Sequence, residues 1–365
     1  MAVCLTAGWA TLAAQDQGPQ NQGSATVARP RTSSTTTTEP AEGPKIPSKF
    51  EKKDIPPAGT ATFKSNVTAV TVDVAVLDNK GHFIPNIPRG NFRVLEDGVP
   101  QTISNFSMGE APMTVALVVE FSALWQSYWT ATWFQTLQAS YGFLQTLKPE
   151  DYIAIVYYDM KPQILCDFTS DKREAMEALR RLQIPGFRES NLFDALTDTA
   201  QRMSSIEGRK AIVTITSGYD TFSKLTFDKT RKILQNAGVP IYAIGIGQVI
   251  RILSEGRVGS LTEMTWLQAD NNLKTFASET GGQVFLPRFE GEMPAIFQSI
   301  AQALRNQYSL AFNPSNQARD GAFRKLKVEL VNPATGEALK ITENNKPVKY
   351  TIVAKSGYTA PREVE

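Results

Sequence analysis

The chain has 365 residues, of which 42% are hydrophobic and 20% charged, with a formal net charge of +2. This composition is typical of a globular protein, and the length allows roughly two or three domains. The small net charge argues against nucleic acid as a partner, and no apolar run reaches the ~18 residues that a membrane-spanning helix needs.

The N-terminal region predicts export. Residues 1–15 are weakly hydrophobic and end in Leu12-Ala-Ala-Gln15, which resembles the cleavage site of a signal peptide, although a basic stretch before it is missing. An ordinary N-terminal tail is the alternative. Residues 16–62 are rich in Thr, Ser and Pro and hold one aromatic residue, Phe50, which predicts a disordered linker. We expect a periplasmic, envelope-bound or extracellular protein.

Two cysteines and one histidine limit the possible chemistry. Cys4 lies in the predicted signal peptide, so Cys166 would remain alone, without a disulfide framework or a cysteine-based metal cluster. His82 stands in the turn-like Asn79-Lys-Gly-His82, far in sequence from any candidate nucleophile. Because paired carboxylates and a glycine-rich phosphate loop are also missing, we predict that the protein is not an enzyme.

Residues 63–110 form an N-terminal β segment in this interpretation. Val70, Val72, Val74 and Val76 alternate with other residues, which predicts a half-buried strand. Asp97-Gly98 is a strong hairpin signal between two further strands. These strands are too few for a stable domain by themselves.

Residues 111–307 alternate between strand-like and helical stretches. The run Met113–Glu120 contains five consecutive aliphatic residues, which is typical of a strand buried on both faces of a parallel sheet. Further strands are predicted at residues 151–159, 163–168, 210–218, 240–247 and 283–286. The link before residue 163 is too short for a parallel crossover, so this strand should form an antiparallel edge. We predict a doubly wound, mostly parallel six-stranded sheet with strand order 3-2-1-4-5-6.

Helices are predicted at residues 126–147, 171–182, 191–205, 228–236, 271–280 and 293–305. Residues 249–270 show no clear period, and we expect irregular structure there. Trp125, Trp129 and Trp133 recur every four residues on the first helix, a spacing that is typical of packing against the sheet. Trp125 directly follows the first strand's loop, and the alternative is an exposed anchor for a partner.

Residues 308–362 return to a period of two. Leu326, Val328 and Leu330 alternate with charged residues, as in a half-buried strand. This segment also holds too little apolar area for a core of its own. We therefore predict that it pairs with residues 63–110 in a small β-sandwich, with the α/β unit inserted between them.

Polar residues converge where the predicted strands end. Glu120 and Ser122 follow the first strand, Ser190 precedes the third helix, and Ser217 to Asp220 follow the fourth strand. The first and fourth strands flank the switch point of the sheet, so these loops should face one another. Hydroxyls and one or two carboxylates at this edge of the sheet suit a hard cation such as Mg²⁺.

The same residues have explanations that need no metal. Ser190 or Asn191 is a good N-cap, with Asp194 favourably placed in the first turn of the helix. Ser217-Gly218 is a plausible turn, and Glu120 could be a solvated residue at the end of a strand.

The order and content of residues 113–305 resemble those of a von Willebrand factor type A domain. With the flanking strands, the chain resembles the proteins related to this domain that bacteria export. The family's motif has Asp-x-Ser-x-Ser after the first strand, Thr before the third helix and Asp-Gly after the fourth strand. Together these residues form a metal-ion-dependent adhesion site.

This chain departs from that motif. Glu120 stands for the first Asp, Ser122 for the first Ser and Leu124 for the second Ser. Ser190 stands for the Thr, and Ser217 for the final Asp. The resemblance thus implies a type A fold with a degenerate site at Glu120, Ser122, Ser190 and Ser217 that binds Mg²⁺ or Mn²⁺ weakly or not at all, since Mg²⁺ demands near-ideal octahedral geometry.

Together these observations predict a non-enzymatic, exported protein–protein interaction module for adhesion or assembly. Its partner would be a protein, bound at the loop face through Leu124, Trp125 and Asp220. The alternative is an intracellular, metal-dependent partner of an ATPase or chelatase, which type A domains also serve. The export-like N-terminus and the Thr/Ser-rich linker favour the first function.

Overall fold

A computed structural model of the chain describes residues 69–123, 133, 137, 140–182, 187–253, 260–343 and 346–362. The predicted signal peptide and linker lie outside the described residues, as do Leu124, Trp125 and Trp129.

The strands follow one another along the chain as β1 (Val70–Asp78), β2 (Phe92–Glu96), β3 (Val99–Gln101), β4 (Ile103–Glu110), β5 (Met113–Glu120), β6 (Tyr152–Tyr158), β7 (Pro162–Thr169), β8 (Arg209–Thr216), β9 (Ile241–Gly245), β10 (Val284–Phe285), β11 (Asn306–Phe312), β12 (Phe323–Leu330), β13 (Ile341–Glu343), β14 (Lys346–Val348), β15 (Tyr350–Ala354) and β16 (Gly357–Thr359). The helices are α1, described at residues 133, 137 and 140–146, α2 (Lys172–Arg180), α3 (Leu192–Ser204), α4 (Phe227–Ala237), α5 (Gly247–Leu253), α6 (Ser260–Thr280) and α7 (Met293–Arg305). In the described part of the chain, no helix is long and apolar enough to cross a membrane.

The central sheet has the predicted topology. Its strand order is β10-β9-β8-β5-β6-β7, which is the order 3-2-1-4-5-6 seen from the other edge. All neighbours are parallel except β6 and β7, which pair antiparallel as expected for the short link between them. Every residue of β5 is buried. The doubly wound fold class and the antiparallel edge strand are confirmed.

Each face of this sheet has its own core, because successive residues of a strand point to opposite sides. Leu117 of β5 belongs to the core on the face that also holds Phe143 of α1 and Phe297 of α7. Val118 belongs to the other core, together with residues of α3, α4 and α6. Trp133 is buried, and its ring lies 5.4 Å from that of Phe121. Core packing is therefore confirmed for this one member of the tryptophan stripe.

The prediction of irregular structure for residues 249–270 is wrong. Helix α5 occupies the start of this stretch, and the helix predicted at residues 271–280 is the second half of the longer α6. The buried face of α6 carries Trp266, Ala269, Leu273, Phe276 and Ala277. Its outer face also holds apolar residues, since Met264 and Leu267 are exposed. These outer residues hide the helical period in the sequence.

Strands from both sides of the α/β unit pair with one another in two further antiparallel sheets, of order β15-β1-β11-β4 and β16-β12-β2-β3. In the first sheet, β1 lies between β11 and β15, and in the second β2 pairs with β12. Asp97 and Gly98 both have positive φ and form the predicted hairpin turn between β2 and β3.

These two sheets share one cluster of buried side chains. It contains Val72 and Val74 of β1, Tyr308 and Leu310 of β11, Phe92 and Val94 of β2, and Leu326 and Val328 of β12. Thus residues from both flanks contribute to a common core. A single small β-sandwich with the boundaries 63–110 and 308–362 stays a prediction, which this shared core supports.

Candidate functional site

The carboxyl ends of β5 and β8 meet at one edge of the central sheet, since these parallel strands are direct neighbours. Glu120 is the last residue of β5, and Ser217 directly follows β8. Ser122 lies two residues beyond Glu120. The structure therefore brings these three residues together, as the sequence predicted.

Glu120 is buried, with 7% of its surface exposed. Its Oε1 accepts a hydrogen bond from Ser122 Oγ at 2.9 Å. Its Oε2 accepts three more, from Thr216 Oγ1 at 3.0 Å, from Ser217 N at 2.7 Å and from Ser217 Oγ at 2.8 Å. The interpretation of Glu120 as a solvated residue is wrong, because β8 brings three donors to its carboxylate.

Tyr158 and Thr216 extend this network and were missed in the sequence. The Tyr158 hydroxyl donates to Thr216 Oγ1 at 2.7 Å, and the backbone N–H of Gly218 donates to the same oxygen at 2.9 Å. The Thr216 proton is thereby directed to Glu120. Burial raises the pKa of the Tyr158 phenol well above its ordinary value, and the nearby Glu120 carboxylate raises it further. Tyr158 is therefore a neutral donor.

Ser190 is fully buried and is held by the loop that follows β8. Its hydroxyl donates to the carbonyl of Tyr219 at 2.8 Å, and its backbone N–H donates to Thr221 Oγ1 at 2.9 Å. Its own carbonyl accepts from the N–H groups of Thr221 at 2.8 Å and Phe222 at 3.2 Å. Ser190 is thus tied to residues 219–222.

The N-terminus of α3 is capped by this loop as well. Asn191 occupies the N-cap position but makes no capping bond with its side chain. Instead, Asp220 Oδ1 accepts from the N–H of Phe193 at 3.1 Å, and Ser223 Oγ accepts from the N–H of Asp194 at 3.1 Å. Asn191 is thus the N-cap residue, as the sequence allowed, but the side-chain capping bonds come from residues about thirty positions later in the chain.

The Asp220 carboxylate is therefore already hydrogen-bonded within the protein. Ser223 Oγ lies 2.5 Å from Asp220 Oδ1. Burial raises the pKa of Asp220, while the hydrogen bonds from Ser223 and from the N–H of Phe193 act in the opposite direction. The carboxylate faces the positive end of α3, where a negative charge is favourable.

Gly218 lets α6 approach the site closely. Its φ is +83°, and a Cβ atom added there would lie 3.1 Å from both Ala269 Cβ and Leu273 Cδ1. Any other residue at this position would strain the backbone and crowd α6. The turn after β8 is thus fixed on one side by Glu120 and on the other by α6.

The polar groups of this site do not fit a Mg²⁺ ion. Glu120 is the single carboxylate that contacts the Ser122 and Ser217 hydroxyls, and its Oε2 already accepts three hydrogen bonds. Asp220 is used at the N-terminus of α3. Across the described ranges, no group of three or more His, Cys, Asp or Glu side chains could hold a metal ion. An octahedral ion would have to displace bonds that the protein already makes.

Exposed apolar side chains stand in several loops and helix ends on this same side of the sheet. Phe187 precedes Ser190, Phe222 follows β8, Ile252 lies in the last turn of α5, Met264 and Leu267 lie in the first half of α6, and Phe289 follows β10. Phe187 and Phe222 are about half exposed, at 50% and 53%. The Phe187 carbonyl accepts from the N–H of Ala123 at 2.6 Å. Both phenylalanines therefore lie beside the polar network.

Phe187 and Phe222 could not be found from periodicity, because both stand in loops. The available signal was an aromatic residue beside charged or hydroxyl-bearing neighbours, Arg188 for Phe187, and Thr221 and Ser223 for Phe222. Leu124 and Trp125, the anchors that were predicted instead, lie outside the described residues.

These features define a doubly wound α/β domain whose site is built from loops at the switch point of the sheet. Residues 115–298 match the family model of the von Willebrand factor type A domain, which covers half of the chain. The chain belongs to this family.

Solved structures with similar folds come from several sources. Proximal thread matrix protein 1 from the mussel byssus has 15% identity and a TM-score of 0.44, over 57% of this chain and 51% of that one. The von Willebrand factor domain of a type V pilus tip protein from Porphyromonas gingivalis has 15% identity and a TM-score of 0.41, over 53% and 95%. A von Willebrand factor type A protein from Catenulispora acidiphila has 12% identity and a TM-score of 0.42, over 81% and 76%.

The chain spans about half the length of the byssus protein. No curated protein matches it in sequence.

Proposed function

We propose that the chain is an exported, non-enzymatic protein–protein interaction module for adhesion or assembly, and that its partner binds at the carboxyl edge of the central sheet. The observation that carries this proposal is that exposed apolar side chains stand in the loops and helix ends on that side of the sheet, from Phe187 to Phe289. Apolar side chains that cluster on a surface mark interaction sites, and buried aromatic residues supply much of the binding energy of an interface.

The chemistry of the polar groups supports a function in binding. The hydroxyls of Ser122 and Ser217 both donate hydrogen bonds to Glu120. His82, the only histidine of the chain, is exposed and lies 3.2 Å from Asp78 in a turn. Burial raises the pKa of the Cys166 thiol to about 11, which keeps it protonated and unreactive at neutral pH. In this proposal the two serine hydroxyls hold the site together, and the thiol packs in the core.

Partner binding at this edge needs no divalent cation in our proposal. The site is a degenerate version of the family's metal site, and Glu120 takes up the donors around it. The alternative function, a metal-dependent partner of an ATPase or chelatase, requires a metal-binding site that this donor set does not offer.

The charges beside the two phenylalanines indicate the chemistry of the partner. Arg188 and Lys224 are exposed, and each follows one of the phenylalanines by one or two residues. Complementary charge gives specificity and a faster association rate. A partner surface with an apolar centre and acidic residues around it would fit best.

The test compares variants of the exposed residues. The full chain and its Phe187→Ser/Phe222→Ser variant are immobilised and exposed to a solubilised envelope fraction, and the retained protein is identified and purified. The purified partner should bind the double variant at least about tenfold more weakly, because each hot-spot residue contributes roughly 1–4 kcal/mol. Binding should be equal in Mg²⁺ and in EDTA.

Val99→Ser is the matched control, because Val99 is 53% exposed on β3, in one of the flanking sheets. It should leave binding unchanged, and both variants should keep the melting temperature of the wild type. If Val99→Ser weakens binding while the double variant binds normally, the interface lies elsewhere. Recovery of the chain from the cytoplasmic fraction alone would exclude export.

A further inference from the structure

We infer that the Glu120 carboxylate holds the segments after β5 and at the end of β8 together, as a bound metal ion would. It thereby positions both exposed phenylalanines. This inference rests on the proposed function, because the positions of Phe187 and Phe222 matter for a partner that binds at this edge. It starts from a buried carboxylate whose four donor groups belong to two separate segments, the residues after β5 and the residues at the end of β8.

The length of the Glu side chain allows this role. Glu120 belongs to β5, but three of its four donors belong to Thr216 and Ser217 at the end of β8. An Asp at this position would withdraw the carboxylate by about 1.5 Å, the length of one C–C bond. Its oxygens would then be too far from Ser217 for direct bonds.

One path of hydrogen bonds leads from Glu120 to Phe222. Ser217 Oγ, which donates to Glu120, accepts from the N–H of Tyr219 at 3.3 Å. The Tyr219 carbonyl accepts from Ser190 Oγ at 2.8 Å, and the Ser190 carbonyl accepts from the N–H of Phe222 at 3.2 Å. Each member of this path is fixed by the one before it.

A shorter path leads to Phe187. Ser122 donates its hydroxyl proton to Glu120 Oε1, which fixes the chain directly after β5. The next residue, Ala123, donates its N–H to the Phe187 carbonyl at 2.6 Å. Glu120 therefore stands where the two paths meet.

A carboxylate can accept hydrogen bonds from all four contacting groups at once. Thr216 Oγ1 already accepts from Tyr158 and Gly218, so its own proton must go to Glu120. A glutamine has one acceptor oxygen and a donor amide, so with its oxygen facing Ser217 the Ser122 hydroxyl would have to accept from the amide instead of donating. Hydrogen bonds to a charged group are also about twice as strong as neutral ones.

The experiment uses the purified full chain as wild type and as the Glu120→Gln variant, which has the same shape without the charge. Amide hydrogen exchange is measured at Ala123, Ser217, Tyr219 and Phe222. In the variant we expect exchange at these amides to be at least about tenfold faster, with no change in the strands β2 and β12. In the wild type, 5 mM Mg²⁺, Mn²⁺ or EDTA should change neither the exchange nor the melting temperature.

Two further variants serve as a second test and as a control. Ser122→Ala removes one donor and should accelerate exchange at Ala123 alone, which keeps the test valid if Glu120→Gln fails to fold. Glu96→Gln is the matched control, since Glu96 is a buried carboxylate on β2, in a flanking sheet, and its substitution should leave the exchange at the site unchanged.

The Glu120→Asp/Ser217→Asp variant restores two acidic residues of the family motif. The melting temperature of this variant should rise by a few degrees when Mg²⁺ is added, because a ligand that binds only the folded state stabilises that state.

Either of two results would overturn the inference. One is a change in the wild-type exchange or melting temperature on adding Mg²⁺ or EDTA, which would show that an ion organises the site. The other is unchanged exchange at Tyr219 and Phe222 in a folded Glu120→Gln variant. These measurements need no partner, so failure of the Phe187 and Phe222 variants to affect binding would reject the proposed function alone.

Discussion

Glu120 and Glu96 are buried carboxylates in different environments. Glu120 accepts four hydrogen bonds. Glu96, on β2, has 3% of its surface exposed and accepts a bond from the Tyr358 hydroxyl at 3.1 Å. Burial raises the pKa of Glu96, which the bond from Tyr358 and the charge of Arg324 oppose. The two carboxylates thus differ in the donors that surround them.

Glu96 should make the stability of the protein depend on pH. A carboxyl with a raised pKa in the folded state contributes stability below its unfolded pKa of about 4.3, and this contribution is lost as pH rises through the folded pKa. Glu96→Gln cannot titrate. The melting temperature of the variant minus that of the wild type should thus increase from pH 4 to pH 7 in thermal melts. A difference that is constant over this range, or that falls, contradicts the assignment.

At the scale of elements, a buried ion pair joins the end of α7 to the start of β6. Asp151 Oδ2 accepts from Arg305 Nη2 at 2.8 Å and from the N–H of Lys148 at 2.6 Å, and Oδ1 accepts from the N–H of Met113 at 3.0 Å. The Asp151 side chain is fully buried and that of Arg305 is 10% exposed. This pair fixes the amino ends of β5 and β6 against the point where the chain leaves the α/β unit.

Removing the arginine should destabilise the protein strongly. Arg305→Met leaves the charge of Asp151 buried without its partner, and we expect a loss of about 3–5 kcal/mol in urea unfolding. Arg202→Met is the control, because Arg202 and Asp198 form an exposed pair on α3, and its loss should cost at most about 1 kcal/mol. If both substitutions lower the free energy of unfolding by the same amount, the buried pair contributes no more to stability than the exposed pair.

Much of the architecture followed from patterns within single elements. The unbroken apolar run of β5 indicated a strand buried on both faces, and the short link before β7 indicated an antiparallel edge. The first half of helix α6 escaped prediction because Met264 and Leu267 are exposed on its outer face. The capping of α3 by Asp220 also escaped, since it joins residues far apart in the chain.

The location of the site could be predicted from the strand order, but its chemistry could not. That Glu120 reaches Ser217 depends on the register of β5 against β8 and on the length of one side chain. Neither the strand register nor the reach of this side chain can be predicted from a pattern in the sequence. The exposed phenylalanines likewise stand in loops without periodicity, so they became visible through their exposure in three dimensions.

At the scale of the whole molecule, several contacts join the α/β unit to the flanking sheets. Arg209 Nη2 donates to the Gly109 carbonyl at 2.5 Å, beside the point where the chain enters the unit. Ser299 Oγ on α7 donates to the Gly81 carbonyl at 3.0 Å. Ser356 Oγ donates to the carbonyl of Glu279 on α6 at 2.8 Å. Helix α7 also continues directly into β11 without a linker.

These contacts predict that the α/β unit depends on its flanks. Residues 111–307 expressed alone lose all three bonds, each of which contributes about 0.5–1.5 kcal/mol. One kcal/mol shifts the melting temperature of a domain of this size by roughly 2–4 °C. The fragment should therefore melt about 5–10 °C below the full chain, and the full chain should unfold in one calorimetric transition. A fragment that melts at the temperature of the full chain, or a full chain with two separate transitions, would show that the unit and its flanks are independent domains.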